Sequence, residues 1–106
     1  TEIYDEDQVI QSLRSLSQKV SQALANHHLH GKTLVIKVRY EDFTTHTKRK
    51  TSLQYLQSAD DLFNLAYDLW TEFGQVDRGV RLLGVTVTNI QSSLYENIPL
   101  QLWEED

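Results

Sequence analysis

The sequence predicts an α+β fold in which two helices cover one face of a four-stranded, antiparallel-type sheet. Three observations support this prediction. Two segments repeat apolar residues at every third or fourth position, two segments alternate apolar with other residues, and a short turn joins residues 33–40 to a threonine-rich stretch. The chain has 106 residues, which suits one small domain.

A short strand over residues 2–5 is expected to open the fold, followed by a helix over roughly residues 7–28. Either Asp5 or Asp7 suits the start of this helix, because carboxylates are favoured in the first turn. Gly31 is expected to end the region as a helix stop. The apolar face of the helix consists of Val9, Leu13, Leu16, Val20 and Leu24.

The next two strands are expected to form a hairpin. Residues 33–40 alternate with period two, which is typical of a half-buried strand. Glu41 and Asp42 form the turn, and residues 43–53 are rich in threonine and return as the second strand. One face of the first strand carries Leu34, Ile36, Val38 and Tyr40, and the other carries Val35, Lys37 and Arg39. The returning strand has no clear phase, because threonines and basic residues occupy both parities.

A second helix is expected after Ser58, because Ser58 and Asp61 have the spacing of a capping box. Gly74 ends it, and residues 80–90 form the last strand. The order is therefore strand, helix, strand, strand, helix, strand, which is the βαββαβ or split βαβ arrangement of ferredoxin-like folds. Both helices must bury their apolar faces on the same side of the sheet, so the other side is open.

Composition excludes several classes of protein. The chain contains no cysteine, so disulfides, thiol catalysis and cysteine-bound zinc are excluded. No apolar run reaches the roughly 18 residues of a membrane-spanning helix, so no membrane partner is expected. Residues 1–5 lack the basic start and apolar stretch of a signal peptide. We therefore expect a cytoplasmic protein.

Charge is distributed unevenly along the chain. The formal net charge is −5, but residues 32–50 contain six basic and two acidic residues, a local balance of +4 that leaves −9 for the remainder. Such a chain has one surface that attracts anions and another that repels them. Lys37, Arg39, Thr86 and Thr88 lie on strand faces expected to be open, and threonine and basic side chains are common phosphate contacts.

Motifs for catalysis or metal binding are weak. His27, His28 and His30 are close in sequence, but no fourth ligand is evident. Residues 31–33 read Gly-Lys-Thr, without the earlier glycine and the strand-then-helix order of a phosphate loop. The strands offer almost no carboxylates for a two-metal site. We predict no catalytic residue, no metal site and no cofactor in this chain.

Three stretches together resemble a known family: residues 34–45, residues 79–88 with the sequence Gly-Val-Arg-Leu-Leu-Gly-Val-Thr-Val-Thr, and residues 99–103. They are similar to the C-terminal little finger domain of bacterial Y-family lesion-bypass polymerases of the DNA polymerase IV type. The resemblance implies that the open sheet face lies along the major groove of primer-template duplex DNA and contacts both backbones. The catalytic carboxylates, and the Mg²⁺ of the parent polymerase, would belong to a palm domain, so palm and thumb domains are expected partners.

The resemblance divides the chain into a duplex-binding little finger domain over residues 1–93 and a C-terminal tail over residues 94–106. It implies backbone contacts by Thr47, Lys48, Arg81 and Thr86, and the strand faces add others. The complete set of expected DNA contacts is Lys37, Arg39, Thr45, Thr47, Lys48, Arg49, Arg81, Thr86 and Thr88.

The tail is similar to the family's sliding-clamp-binding peptide, which usually reads Gln-Leu-x-Leu-Phe. The corresponding residues are Pro99, Leu100, Gln101, Leu102 and Trp103. The two leucines and the aromatic residue suit an apolar pocket on the clamp. Pro99 replaces the usual glutamine, and Trp103 offers more apolar area than phenylalanine.

A second interpretation remains open at this point: a ferredoxin-like regulatory or protein-interaction domain that does not bind DNA. Such a domain usually has polar groups around a pocket, and the sequence shows no such cluster. Base stacking on single strands is disfavoured, because the expected open face carries no aromatic residue. Retention on heparin or duplex DNA at low salt separates the two interpretations.

Overall fold

The computed structural model describes residues 2–92 of the chain. Its helices and strands follow the expected order, except at the start. The elements are α1 (Glu6–Asn26), β1 (Leu29–Tyr40), β2 (Thr45–Leu56), α2 (Ala59–Phe73), a short 3₁₀ turn (Val76–Arg78) and β3 (Val80–Ser92). The returning strand begins two residues later and ends three residues later than its predicted range of 43–53.

The prediction of four strands was wrong. Within residues 2–92 the sheet has three strands in the order β2-β1-β3, and all neighbours are antiparallel. The expected first strand is reduced to one bridge, in which Ile3 and Val80 exchange two backbone hydrogen bonds of 2.8 Å. Asp5 explains why the pairing stops: it caps α1, its side chain accepts a hydrogen bond from the Asp7 N–H, and the chain leaves the sheet.

Gly31 was wrongly predicted to stop the first helix. The helix ends earlier, with His27 as the C-cap residue, and Gly31 lies within β1. A Cβ atom at Gly31 would come within 2.5 Å of Val87 Cγ1 and 2.7 Å of the Thr88 carbonyl oxygen. The glycine is therefore needed because β3 approaches β1 closely at this point.

The second helix has the predicted ends. Ser58 Oγ accepts a 3.1 Å hydrogen bond from the Asp61 N–H, as a capping residue does. At the other end the Gly74 N–H donates to the Trp70 carbonyl oxygen over 2.7 Å. Trp70 also joins the two helices, since its Nε1 donates to Glu6 Oε2 over 2.6 Å.

Both helices cover the same face of the sheet, as predicted. Leu34, Ile36 and Val38 of β1 are 0% exposed and Tyr40 is 1% exposed, because α1 and α2 pack over them. Within residues 2–92, no helix combines the length and apolar character that a membrane crossing requires. The buried core consists of Val9, Leu13, Leu24, Leu34, Ile36, Val38, Tyr40, Leu56, Leu62, Phe63, Ala66, Leu69, Trp70, Val80 and Val87.

Candidate nucleic-acid interface

The two layers of the fold carry opposite charge. The three strands contain seven Lys or Arg residues and no Asp or Glu, whereas α1 and α2 together contain six acidic and two basic residues. The sheet layer is therefore cationic, and the helical layer has a net charge of −4. An anionic ligand is attracted to the sheet and repelled by the helices.

The strand register defines the face of the sheet that the helices leave uncovered, which we call the open face. Directly opposite residues in neighbouring strands point to the same side. The register places four rows of three residues on this face, from β2 through β1 to β3. These rows are Thr45–Arg39–Leu82, Thr47–Lys37–Gly84, Arg49–Val35–Thr86 and Thr51–Thr33–Thr88.

Seven of the nine expected DNA contacts lie together on the open face. The register also settles the phase of β2, which the sequence left open: its odd-numbered residues from 45 to 51 share the face of Lys37 and Arg39. The open face thus presents three cationic side chains among threonine hydroxyls. The seven residues are Lys37, Arg39, Thr45, Thr47, Arg49, Thr86 and Thr88.

Lys48 lies on the other face of the sheet. It pairs with Ile36, whose side chain is fully buried beneath the helices. Lys48 itself is exposed, because β2 is an edge strand whose outer part the helices do not cover. Its side chain is therefore separated from that of Arg49, its neighbour in sequence, by the thickness of the sheet.

Arg81 lies in an irregularity of the ladder, where Val80 pairs with Tyr40 and Leu82 pairs with Arg39. Its Nη1 donates to Glu2 Oε2 over 2.5 Å, and its guanidinium carbon lies 4.4 Å from the centre of the Phe43 ring. Arg81 is thus paired with a carboxylate and does not join the rows of the open face.

The open face is anchored at the hairpin between β1 and β2. Arg39 Nε donates to Thr45 Oγ1 over 3.0 Å, which links the two strands within one row. Asp42 Oδ1 accepts hydrogen bonds from the N–H and the hydroxyl of Thr44, at 3.0 and 2.6 Å. Arg78 donates to both Asp42 and Thr44, at 3.2 and 2.7 Å. The hydrogen bonds from Thr44, supported by Arg78, hold the pKa of the Asp42 carboxyl below its ordinary value.

A second contact at the same end involves Tyr4, which sequence reasoning missed. Its hydroxyl donates to Glu41 Oε2, and this hydrogen bond is the main reason that the pKa of Tyr4 is raised. The Asp-x-Thr spacing of residues 42–44 is a turn signal that could have located the hairpin contacts. The partner Arg78, 36 residues from Asp42, carries no comparable local signal.

The outer strand β2 is irregular near its end. Residues 52–55 lie opposite a single residue of β1, Lys32, because Thr33 pairs with Thr51 and Gly31 pairs with Leu56. Lys32 Nζ lies 4.7 Å from the centre of the Tyr55 ring.

The sequence also placed three histidines, His27, His28 and His30, close together. The ring of His30 lies 4.1 Å from the ring of Tyr55. Within residues 2–92 no group of three or more His, Asp or Glu side chains is arranged to hold a metal ion.

The fold and the charge distribution define a small α+β module with a cationic sheet layer and an acidic helical layer. The chain belongs to the impB/mucB/samB family C-terminal domain, which it matches over residues 1–100.

Curated relatives of the chain carry the name DNA polymerase IV. The protein from Staphylococcus saprophyticus is 33% identical over 100 residues, which cover 94% of this chain and 28% of the relative. Those from Streptococcus suis and Listeria monocytogenes are each 41% identical, over 85% and 86% of this chain and 25% and 26% of the relative. The chain therefore spans about a quarter of the length of these relatives.

A solved structure is similar over most of its length. It is described as a complex of the beta-clamp processivity factor and the little finger domain of PolIV. The match has a TM-score of 0.65 and 25% sequence identity, and it covers 82% of this chain and 78% of the solved one. Together with the family match, it confirms the resemblance to the little finger domain.

Proposed function

We propose that this chain is the duplex-gripping little finger of a lesion-bypass DNA polymerase. The observation that carries the proposal is the open face, where Lys37, Arg39 and Arg49 stand among threonines on strands that contain no carboxylate. The names of its relatives support a polymerase as the parent protein. The parent would work on DNA in the cytoplasm, with its Mg²⁺-dependent nucleotidyl transfer in a palm domain outside this chain.

The grip acts through phosphate contacts along the major groove. Contacts to phosphates carry no base information, so a surface of lysine, arginine and threonine holds any sequence of primer-template equally well. Each neutralised phosphate steepens the dependence of log affinity on log salt by about 0.9. The three cations of the open face, Lys37, Arg39 and Arg49, therefore predict a slope of roughly −3 for this chain.

The acidic helical layer has a part in this mechanism. Because α1 and α2 repel the duplex, the domain is oriented with its sheet toward the DNA. With a net charge of −5, the chain binds weakly when alone. Attachment to the palm and thumb raises its effective concentration at the duplex and makes a weak grip sufficient.

The test compares two double variants with the same change in charge. Lys37→Ala with Arg39→Ala removes two cations from the open face, and Arg14→Ala with Lys19→Ala removes two from α1. Anisotropy titrations of duplex DNA at low salt, on two unrelated sequences, measure the affinities. The open-face variant should lose at least about tenfold in affinity on both sequences, and its salt slope should fall by about 1.8.

The control variant on α1 should retain affinity within about twofold, since its cations lie in the repelled layer. Equal losses in both variants would show that only the net charge matters. A loss confined to one DNA sequence, or no loss at all, would contradict the proposal. Failure of the unmodified chain to bind duplex DNA or heparin at low salt would favour the regulatory-domain interpretation.

We also propose that residues 99–103 dock on a sliding clamp. These residues lie outside the described part of the chain, and their sequence and the solved clamp complex of a similar domain support the proposal. Deletion of residues 99–103 should abolish binding to a bacterial clamp and leave duplex affinity unchanged. Clamp affinity that survives the deletion would contradict this assignment.

A further inference from the structure

The four glycines of the chain fall into two groups. Three are required by the fold, because an added Cβ atom would clash. At Gly31 it would meet Val87 and Thr88, and at Gly74 it would lie within 2.5 Å of Trp70 ring atoms. Gly79 has a φ of 76°, and its Cβ would lie 2.8 Å from the ring of Tyr4.

Gly84 is different. The nearest atom to its added Cβ would be Lys37 Cβ at 3.7 Å, which is an ordinary van der Waals contact. Its backbone is not in the left-handed region, so an L side chain could be placed there without strain. A glycine within a strand weakens it, and often marks a point where a ligand or another backbone comes close. The fold does not require glycine at position 84, so another explanation is needed.

The position of Gly84 supplies one. It lies in the open-face row of Thr47 and Lys37, between Leu82 and Thr86 of the same strand. The missing side chain leaves a notch beside Lys37. Because β3 is an edge strand of the sheet, the notch also opens at the sheet edge.

We propose that the notch at Gly84 receives a phosphate group of the DNA backbone, which lies against the main chain of β3 within reach of the Lys37 ammonium group. The inference rests on the proposed function and deepens it. The cationic sheet layer without carboxylates favours an anion at this point, and the absence of a side chain favours close approach of a backbone. Gly84 is thus a positioning residue that controls how near the duplex comes to Lys37.

The test uses Gly84→Ala and Gly84→Val in the full chain with duplex DNA. Neither substitution changes the charge, so a change in salt slope reports the loss of a phosphate contact and not a change in net charge. The slope should fall by about 0.9 in Gly84→Val, with at least about a fivefold loss of affinity and a smaller loss in Gly84→Ala. The melting temperature should stay the same or rise by roughly 2–6 °C, because both substitutions restrict the unfolded chain.

Comparison with other variants separates failure of this inference from failure of the proposed function. If the notch and Lys37 hold the same phosphate, Gly84→Val combined with Lys37→Ala should lower the slope no further than either change alone. Unchanged affinity in Gly84→Val, with a clear loss in Lys37→Ala/Arg39→Ala, would overturn this inference and leave the proposed function intact. No loss in Lys37→Ala/Arg39→Ala would overturn both. A lower melting temperature in Gly84→Ala would show that the fold does require the glycine, which also overturns the inference.

Discussion

Alternate residues of β1 differ in exposure, although they belong to one strand. Ile36 and Val38 are fully buried under the helices, whereas Lys37 is exposed on the open face. Successive side chains of a strand point to opposite sides, so residues that build the core alternate along this segment with residues proposed to bind DNA. The contrast indicates that the open face can be altered with little effect on the core.

The largest expected effect is the loss of stability when a buried residue of β1 is shortened. Ile36→Ala should lower the free energy of unfolding by about 2–4 kcal/mol, because it removes buried methyl and methylene groups and leaves a cavity. Val35→Ala, on the open face, should cost less than about 1 kcal/mol. Urea unfolding of both variants measures the difference. Equal losses of stability in the two variants would contradict the assignment of core and open face to alternate residues. Weaker duplex binding by folded Ile36→Ala than by the unmodified chain would also contradict it.

A smaller effect is expected at Lys48 and Arg49, which are neighbours in sequence on opposite faces of β2. Arg49→Ala should weaken duplex binding about three- to tenfold and lower the salt slope by about 0.9. Lys48→Ala should have a clearly smaller effect on both, because its side chain lies on the side of the helices. Paired titrations over a range of salt concentrations test this, and a larger loss for Lys48→Ala would place the duplex on the other face.

The smallest effect concerns the hairpin that anchors the open face. The pKa of Asp42 lies below its ordinary value of 3.8, because Thr44 and Arg78 favour the charged carboxylate. A depressed pKa in the folded state contributes stability above the ordinary pKa, and this contribution is lost as the pH falls through the folded-state value. The melting temperature should therefore fall below about pH 4, and less steeply in Asp42→Asn. The prediction would be contradicted if the melting temperatures of the unmodified chain and Asp42→Asn fell equally between pH 6 and pH 2.

The sequence could predict the faces of β1 because its apolar residues mark one parity. It could not predict the phase of β2, since residues 45–52 include no apolar residue to mark one side and only pairing with β1 decides. The prediction of a strand over residues 2–5 failed because so short a segment carries no usable period, and the capping of α1 at Asp5 limits its pairing.

The sequence also could not predict contacts between distant parts of the chain. The sequence around Gly31 is typical of a helix stop, and only the close pairing of β3 beside it, nearly 60 residues later, explains the glycine. Arg81 pairs with Glu2, 79 positions away, and nothing local indicates that partner. The clamp-binding assignment of residues 99–103 stays a prediction, because these residues lie outside the described part.

In the proposed function the open face, and not the helical layer, meets the duplex. A titration of the ¹⁵N-labelled chain with duplex DNA at low salt, followed by amide chemical shifts, tests it most directly. We expect amide shifts along β1, β2 and β3 in the rows of Arg39, Lys37 and Val35, with Gly84 among the most affected residues and α1 and α2 unchanged. Shifts concentrated on α1 or α2, or a sheet that does not respond, would contradict it.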